Sequence, residues 1–465
     1  MKSNFNICTA SDSYKMCHHA QFPDGTEKVY SYFESRCGAE HPTTVFFGLQ
    51  YIIKKYLAGA VVTEEGIEIA KRRINAHLFD GAFNEAGWRY ILDEYDGKLP
   101  IKISAVPEGM GVATNNVLMT VENTDPKCYW LTNYLETILT HVWAPSTVAT
   151  VSYHAKQMMS DFLFRTSDNP EAIDFMLHDF GARGVTSFGS AEITGAGHLI
   201  SFMGTDTFPA IDTTMDYYNA PEVTGYSVPA SEHSLMCSLG RDGEMEVLKN
   251  LLDKYPTGIL SVVIDSYDYR EFIKNAYINF KDEILARDGK LVFRPDSGQP
   301  NEVTVDVYNL LEERFGSTTN SKGFKVLNPK VGILWGDGID VSGIRSVLFT
   351  LELRGISADN MVFGMGGGLL QKMNRDTQRF AFKSSYQERN GVGYDIYKQP
   401  IDVSKASKKG KLMLIRNVAT NELETVPWNA TDDAAGLNLL EPVFENGELL
   451  RDMSFSDVRN NSENK

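Results

Sequence analysis

Basic and acidic side chains gather at the end of a short apolar run in the second half of the chain. Residues 291–293 are apolar, and Arg294, Asp296 and Gly298 follow them closely. Arginine presents a planar fork that matches phosphate oxygens, and a carboxylate can hold a hydroxyl or a phosphate-bound metal ion. The segment therefore indicates a sugar-phosphate site at a strand end, and a capping ion pair on a turn explains it equally well.

Acids, arginines or glycines also follow the other apolar runs. These residues are Arg183, Asp206, Asp265, Asp337 and the glycines within residues 364–368. The run before Asp206, residues 198–202, is predicted as a strand like the others. Segments with helical spacing separate the runs, so the pattern predicts βα units whose strand ends meet at one edge of a parallel sheet.

The βα pattern also predicts how the chain divides. We expect an α/β protein with an irregular, barrel-like catalytic domain over residues 150–385. Residues 1–149 mix strand and helix patterns, and residues 386–465 turn polar after the last βα unit. These two segments together are predicted to form a second, mixed α+β domain.

Composition excludes several classes of partner. The 465 residues carry a formal net charge of -16, which argues against binding to nucleic acid. No apolar run reaches the roughly 18 residues that span a bilayer, and the first residues lack the apolar segment of a signal peptide. We therefore expect no membrane partner and a cytoplasmic location. The five cysteines are scattered and are predicted to be reduced thiols.

Two motifs could bind or transfer phosphate. The glycines of residues 364–368 precede a predicted helix that starts at Leu369, where exposed backbone amides would make a phosphate seat. The segment lacks the residues of a Walker A loop and of a dinucleotide fingerprint. His233, beside Glu232, could be a general base, a nucleophile toward phosphate or an ordinary loop histidine.

No spacing of histidines, cysteines or acids is typical of zinc, so no dedicated metal site is expected. Magnesium would arrive bound to a phosphate ligand. Acids together with phosphate seats suit a phosphorylated sugar, and aromatic Phe180 and Tyr14 could hold a flat ring.

Through these motifs the sequence resembles the nicotinamide phosphoribosyltransferases, which are type II phosphoribosyltransferases. The resemblance covers nearly the whole chain. It includes the motifs Asp12-Ser-Tyr-Lys, His178-Asp-Phe-Gly, Gly204-Thr-Asp-Thr, Glu232-His-Ser, Asp265-Ser-Tyr-Asp, Arg294-Pro-Asp-Ser-Gly, Gly336-Asp-Gly and Gly366-Gly-Gly-Leu-Leu-Gln-Lys.

The resemblance implies a reaction and a base site. The pyridine nitrogen of nicotinamide would displace diphosphate from phosphoribosyl diphosphate and form nicotinamide mononucleotide, a step of NAD salvage. Phe180 and Tyr14 of a second subunit would sandwich the pyridine ring. Asp206 with Arg294 would hold the carboxamide, since a carboxylate accepts from an amide and repels a carboxylate ligand.

The resemblance also implies the residues of the phosphate and product sites. The catalytic set would be His233, Asp265, Arg294 and Asp296. The diphosphate contacts would be Arg183, His233, Arg294, Arg36, Lys383 and Lys398. The product would be bound by Asp206, Gly336, Asp337, Gly367 and Arg375. The enzyme would be a homodimer with shared active sites.

Two cofactors follow from the same resemblance. Magnesium would be carried by phosphoribosyl diphosphate. ATP would phosphorylate His233 and thereby stimulate synthesis. The chain differs from the vertebrate pattern at Ala182, Met365 and Ala381, where tyrosine, serine and serine are usual, and in a shortened segment at residues 36–43.

Two alternative functions remain at this stage. A nicotinate phosphoribosyltransferase would share the fold and the phosphate chemistry, and Asp206 argues against it. A non-catalytic binding relative would have lost some of the catalytic set. The chain keeps His233, Asp265, Arg294 and Asp296.

Overall fold

A computed structural model describes residues 5–399 and 407–463. The chain divides into two compact units, which we call the sheet unit and the barrel unit. The sheet unit takes the described residues up to Thr150, Thr213–Pro221 and those from Asn374 onward. The barrel unit takes Val151–Asp212 and Glu222–Met373. The division differs from the predicted domains at residues 213–221 and 374–385, which belong to the sheet unit.

Within the described residues, the strands are short and are numbered in chain order. They are β1 Thr26–Ser35, β2 Thr43–Val45, β3 Ile101–Ala105, β4 Gly111–Ala113, β5 Asn116–Asn123, β6 Leu177–Asp179, β7 Gly204–Thr205, β8 Thr257–Val263, β9 Asp288–Arg294, β10 Ser317–Thr319, β11 Lys325–Leu327, β12 Val331–Trp335, β13 Met361–Met365, β14 Phe380–Arg389, β15 Val392–Asp395, β16 Leu412–Arg416, β17 Leu423–Pro427, β18 Glu441–Glu445 and β19 Glu448–Leu449.

The helices are numbered in the same way. They are α1 Leu49–Ile52, α2 Glu64–His77, α3 Glu85–Glu94, α4 Leu131–Tyr134, α5 Glu136–Thr140, α6 Trp143–Thr166, α7 Phe188–His198, α8 Phe208–Tyr218, α9 His233–Met236, α10 Glu244–Lys254, α11 Tyr269–Ala286, α12 Pro300–Phe315, α13 Val341–Leu353, α14 Gly367–Leu370, α15 Ala430–Ala434 and α16 Phe455–Glu463. Short 3-10 helices include Ser13–Ala20 and Ala182–Gly184, and Ile53–Leu57 is a π-helical turn.

The sheet unit is built on an antiparallel sheet of seven strands. Their order is β15-β14-β1-β5-β3-β18-β19. The interior strand β1 is buried along most of its length, and Phe33 on it stacks on Phe380 of β14 with ring centroids 5.2 Å apart. Because β14 pairs with β1 over its whole length, residues 380–385 belong with this sheet. The predicted boundary at residue 385 would have cut that strand.

The barrel unit contains a sheet of six parallel strands in the order β7-β6-β13-β12-β9-β8. Helices cover its outer face, as parallel strands require. On β9, Phe293 points outward and packs against Phe272 of α11 and Phe315 of α12. Its neighbour Arg294 therefore points to the inner side of the sheet, because successive strand residues face opposite ways.

A short irregular segment, residues 226–230, bridges the two edges of this sheet. At one edge the Thr205 amide donates to the Tyr226 carbonyl at 2.9 Å. At the other edge the Ser261 amide donates to the Pro229 carbonyl at 2.9 Å. The segment thereby joins β7 to β8 and curls the sheet into an irregular barrel. The predicted barrel-like α/β fold, with a second mixed domain, is confirmed.

Two local expectations are wrong. His198 ends helix α7, and the strand before Asp206 is only Gly204–Thr205, so residues 198–202 are not a strand. The helix after the glycine-rich segment is the four-residue α14, too short to carry an appreciable dipole. Among the described residues, no helix is long and apolar enough to cross a membrane.

Candidate active site

The carboxyl ends of the barrel strands carry most of the predicted site residues. Because the six strands are parallel, the loops that follow them lie at one edge of the barrel. The predicted residues in these loops, or directly after the closing segment, are Phe180, Arg183, Asp206, His233, Asp265, Arg294, Asp296, Gly336, Asp337 and Gly367. Two groups among them are named for the ligands predicted there. The phosphate end comprises His233, Asp265, Arg294, Asp296 and Asp337, and the base end comprises Phe180 and Asp206.

Helix caps hold the loops of the phosphate end. Asp268 accepts hydrogen bonds from the backbone amides of Arg270 and Glu271 and so begins α11. Asp340 does the same for Gly343 at the start of α13. Such caps stabilise a helix start by roughly 1 kcal/mol and fix where the preceding loop ends. The loops that carry Asp265 and Asp337 are therefore short and anchored at both ends.

His233 lies between two carboxylates at the phosphate end. Its Nε2 is 3.3 Å from Asp265 Oδ1, and its Nδ1 is 3.9 Å from Asp296 Oδ2. The imidazole side chain is 46% exposed at the start of α9. An exposed imidazole beside two acids can bind a proton, or can attack a phosphorus atom that approaches from solvent.

Asp265 is the most firmly held of these acids. Its side chain is only 5% exposed. Oδ2 accepts hydrogen bonds from the Asp296 amide at 2.9 Å and from the Ser297 hydroxyl, while Oδ1 faces His233. Three polar partners therefore orient one carboxylate, which can stabilise a nearby positive charge without having to reorganise.

Arg294 and Asp337 complete the phosphate end. Arg294 Nε lies 3.5 Å from Asp296 Oδ1, a long contact that leaves the buried Nε without a hydrogen bond. Burial raises the pKa of Asp337, the charges of Asp296 and Asp265 raise it further, and Arg294 lowers it. Three acids and one guanidinium thus interact electrostatically, and the Trp335 indole donates to the Asp337 carbonyl at 2.7 Å.

Phe180 is positioned at the base end by two glycines. A Cβ atom on Gly364 of β13 would lie 1.9 Å from Phe180 Cε2, and one on Gly336 would lie 3.2 Å from the same atom. The Phe180 amide donates to the Met365 carbonyl at 3.1 Å. The half-exposed ring therefore lies directly against the backbone of two strands, and a flat ligand can stack on it.

Asp206 is the exposed acid of the base end. Its carboxylate accepts a hydrogen bond from the Ser227 hydroxyl, on the segment that closes the barrel. Its amide donates to the Asp179 carbonyl at 2.9 Å. Arg183 is exposed on the 3-10 helix Ala182–Gly184, two residues after the Phe180 turn. Sequence reasoning missed Ser227, because a serine in a loop carries no signal of its own.

The sheet unit contains a separate cluster of basic residues. Burial lowers the pKa of Lys383, and the nearby charges of Arg36, Lys398 and Lys408 lower it further while Glu34 raises it. The Lys383 Nζ is buried without a hydrogen-bond partner in the described part of the chain. Such a cation suits an anionic ligand.

Lys408 and Glu34 were not among the predicted site residues. Lys408 Nζ pairs with Glu34, which is 2% exposed on β1. The charge run at residues 405–411 was the signal that could have found Lys408. The pairing with a buried strand residue is visible only in the structure.

Tyr14 and Arg375 also belong to the sheet unit. Tyr14 is 60% exposed on the 3-10 helix Ser13–Ala20. Its neighbour Lys15 is buried and pairs with Glu136 at 2.5 Å, which anchors this helix. Arg375 is exposed in the turn before β14. In the described ranges, no group of three or more histidine, cysteine or acidic side chains is arranged to hold a metal ion.

Comparison with known proteins gives two family matches. The model described as the nicotinate phosphoribosyltransferase family matches residues 175–448. The model described as the nicotinamide phosphoribosyltransferase N-terminal domain matches residues 6–103.

Several relatives named nicotinamide phosphoribosyltransferase are similar over their length. The protein from Xanthomonas campestris pv. campestris is 47% identical, over 98% of this chain and 97% of its own. The protein from Acinetobacter baylyi is 34% identical, over 99% of this chain and 97% of its own. The protein from Mycoplasma pneumoniae is 33% identical, over 86% and 94%.

Two solved structures share the fold at low identity. The nicotinate-nucleotide pyrophosphorylase from Pyrococcus furiosus has a TM-score of 0.61 at 15% identity and covers 98% of this chain and 95% of its own. The human nicotinic acid phosphoribosyltransferase has a TM-score of 0.55 at 13% identity, over 97% and 92%. Identities this low support the fold alone.

Proposed function

The chain belongs to the nicotinamide phosphoribosyltransferase family of pentosyltransferases, and we propose that it makes nicotinamide mononucleotide from nicotinamide and phosphoribosyl diphosphate. The reaction would serve NAD salvage in the cytoplasm. The observation that carries the proposal is the placement of an aromatic ring, Phe180, and an exposed acid, Asp206, at the same barrel edge as the His233 cluster.

At the phosphate end, the bond from ribose C1′ to the diphosphate oxygen breaks, and the leaving group keeps the electron pair. Positive charge then develops at the ribose. Asp265 and Asp296 would stabilise that charge, and Arg294 and Arg183 would bind diphosphate oxygens. The rigid hold on Asp265 supports this role, because preorganised charges stabilise a transition state best.

At the base end, the pyridine nitrogen of nicotinamide forms the new bond to C1′. Phe180 would stack on the ring, and Tyr14 of a second subunit would cover the other face. Asp206 would accept a hydrogen bond from the carboxamide NH2, and Arg294 would donate to its oxygen. The nucleotide product would be held by Asp206, Gly336, Asp337, Gly367 and Arg375.

The basic cluster of the sheet unit would serve a neighbouring active site in a homodimer. Arg36, Lys383 and Lys398 would bind the diphosphate, with Lys408 as a further contact. The buried, unpaired Lys383 ammonium supports an anion at this position. Magnesium would enter as part of the phosphoribosyl diphosphate substrate.

ATP would act through His233. An imidazole nitrogen would attack the γ-phosphorus, the bond to the β-phosphate oxygen would break, and ADP would leave. The exposure of His233 between two acids supports this assignment. We expect His233→Ala to abolish ATP hydrolysis and to leave slow, ATP-independent synthesis. Acid-labile phosphate that persists on the variant would assign the phosphorylation to another residue.

A steady-state assay with both bases tests the proposed function. The protein is incubated with magnesium, phosphoribosyl diphosphate and either nicotinamide or nicotinate, and mononucleotide and diphosphate are quantified together. Nicotinamide should be the preferred base. The match to the nicotinate phosphoribosyltransferase family model makes nicotinate the second candidate substrate, and a preference for it would replace the proposal.

Subunit mixing tests the shared site. The Tyr14→Ala and Arg294→Ala proteins are mixed in equal amounts and allowed to exchange subunits. In each mixed dimer one site combines an intact Arg294 with an intact Tyr14. About a quarter of the parent activity should return at random pairing. If exchange is verified by mass and activity stays at the level of the separate variants, each site is built from one chain.

A further inference from the structure

Asp179 is a buried acid between the two residues of the base end that meet the ligand. It ends strand β6, directly before Phe180, and its side chain has no exposed area. Oδ1 accepts a hydrogen bond from the Gly181 amide at 2.7 Å, which closes the turn that carries Phe180. Its carbonyl accepts from the Asp206 amide at 2.9 Å. One residue thus supports both loops.

The second oxygen of this acid has no hydrogen-bond partner. Asp179 Oδ2 and the Thr207 hydroxyl are both buried, and neither forms a hydrogen bond within the described residues. The Thr207 hydroxyl still lies near enough to favour the ionised carboxylate. A Cβ on Gly195 of α7 would lie 3.2 Å from Asp179 Oδ2 and 2.9 Å from Thr207 Cγ2, so the glycine makes room for the pair.

An ionisable side chain is not required to accept one hydrogen bond from the Gly181 amide. Asparagine would accept the same hydrogen bond from Gly181, and its NH2 could donate to the Thr207 hydroxyl, at a lower desolvation cost. Burial raises the pKa of Asp179 to about 6, and the charge of Asp206 raises it as well. The two carboxylates therefore interact, and near neutral pH Asp179 adds a second negative charge beneath the base end.

We propose that Asp179 is a positioning and specificity-determining residue: its carboxylate holds the turn that carries Phe180 while its backbone carbonyl holds Asp206, and its charge adds to that of Asp206 against an anionic base. The proposal rests on the proposed function and names the discriminating group behind it. An uncharged pyridine amide is accepted, and a pyridine carboxylate is repelled by two negative charges.

Two substitutions at one position separate the two roles. Asp179→Asn keeps the hydrogen bonds and removes the charge. We expect the KM for nicotinamide to stay within about threefold of the parent, and the preference for nicotinamide over nicotinate to fall by about three- to tenfold. Asp179→Ala removes the charge and the side-chain hydrogen bond to Gly181, and leaves the backbone bond to Asp206 in place. It should raise the KM for nicotinamide at least tenfold, because the turn that carries Phe180 loosens, while the KM for phosphoribosyl diphosphate changes less than threefold.

Controls keep the test decisive. Asp253→Asn removes an exposed acid from α10 of the same unit and should change neither base preference nor KM. If Asp179→Ala does not fold, Thr207→Val replaces it, because valine keeps the shape and removes the hydroxyl that faces the carboxylate. This variant should raise the KM for nicotinamide about two- to threefold.

Asp179 would be a purely structural residue if both substitutions lowered the melting temperature and weakened the binding of both bases and of phosphoribosyl diphosphate to the same extent. An unchanged base preference in Asp179→Asn would overturn the charge role. A parent protein that makes no nicotinamide mononucleotide would overturn the proposed function itself, and direct calorimetric binding of nicotinamide and nicotinate would still report on Asp179 in that case.

Discussion

The base end and the phosphate end lie at the same barrel edge and are built by different physics. At the base end, glycines, backbone amides and one buried acid hold Phe180 and Asp206. At the phosphate end, charged side chains hold one another, as in the contacts of His233 with Asp265 and Asp296. Close packing therefore defines the first, and electrostatic contacts define the second.

The difference predicts unequal sensitivity to substitution. A charged cluster that stabilises a transition state loses most of its effect when one central charge is removed, since the remaining groups were oriented around it. A pocket defined by shape loses affinity in proportion to how far the ligand or the stacking residue is displaced. Four substitutions, from the largest expected effect to the smallest, test the contrast.

Asp265→Asn should have the largest effect. The asparagine NH2 would face the donors that now reach the carboxylate, the Asp296 amide and the Ser297 hydroxyl, and the charge proposed to stabilise the ribose would be lost. We expect kcat/KM to fall by about a thousandfold, on the order of 4 kcal/mol, mostly in kcat. Pre-steady-state and steady-state kinetics measure this, with Asp253→Asn as the matched control. A loss confined to KM would move Asp265 from catalysis to binding.

Asp206→Ser should have the next largest effect. It should also change the selectivity between nicotinamide and nicotinate. Loss of a charged hydrogen bond to the carboxamide should lower kcat/KM for nicotinamide about ten- to a hundredfold, roughly 1–3 kcal/mol. Relative use of nicotinate should rise, because the opposing charge is gone. Both bases and the melting temperature are measured on the same protein. Equal losses for the two bases would make Asp206 a strand cap only.

Gly364→Ala tests the shape of the base end. The added methyl would overlap the Phe180 ring, with 1.9 Å between Cβ and Cε2, so the ring must turn away from its stacking position. We expect the KM for nicotinamide to rise about tenfold at nearly constant kcat. Gly332→Ala on the next strand is the control, because its methyl meets the flexible Lys290 side chain at 3.2 Å and makes an ordinary contact with Val292 Cγ2 at 3.7 Å. Comparable effects of both variants would indicate general damage to the sheet.

Asp179→Asn should have the smallest effect, on the pH dependence of stability. Burial raises the folded-state pKa of Asp179 to about 6 from the ordinary 3.8, so the folded protein binds this proton more tightly than the unfolded chain. Stability is therefore lost as pH rises through that range. The charged group that faces Asp179 is Asp206, while burial lowers the pKa of His198 on α7 to about 3 and keeps it neutral.

Relative to the parent, Asp179→Asn should gain about 1 kcal/mol in the free energy of unfolding between about pH 5 and about pH 7. Urea unfolding at several pH values measures the difference. A difference that does not change with pH would mean that the carboxyl is ionised in the folded and the unfolded protein alike over this range, so that its folded-state pKa is not raised.

Much of the fold and of the phosphate end could be predicted from the sequence. Acids and arginines that follow apolar runs indicate where strands end. Parallel strands bring those ends to one edge of the sheet, whatever the details of packing. Asp265, Arg294, Asp296 and Asp337 therefore lie at the same edge of one barrel. The pattern is local, since each residue is marked by the strand directly before it.

Other features could not be predicted, either because a short run is ambiguous by itself or because the feature joins residues that are distant in the chain. The run at residues 198–202 looks like a strand but ends a helix, since a short apolar run fits either element. The unit boundary at residue 374 depends on the pairing of β14 with β1, across more than half of the sequence. The ion pair of Lys408 with Glu34 joins two residues that are far apart in the sequence, so it is visible only in the structure.

The sequence by itself determined the α/β class, the barrel edge and the chemical character of the phosphate end, because periodicity and residue type act over a few positions. Only the tertiary structure decided the base end. The room for Phe180 beside Gly364, the Ser227 hydroxyl on Asp206 and the Asp206 amide on the Asp179 carbonyl are contacts between segments that are separated in the sequence. Such contacts are decided by packing at close range, where a single methyl group changes the outcome and no local pattern records it.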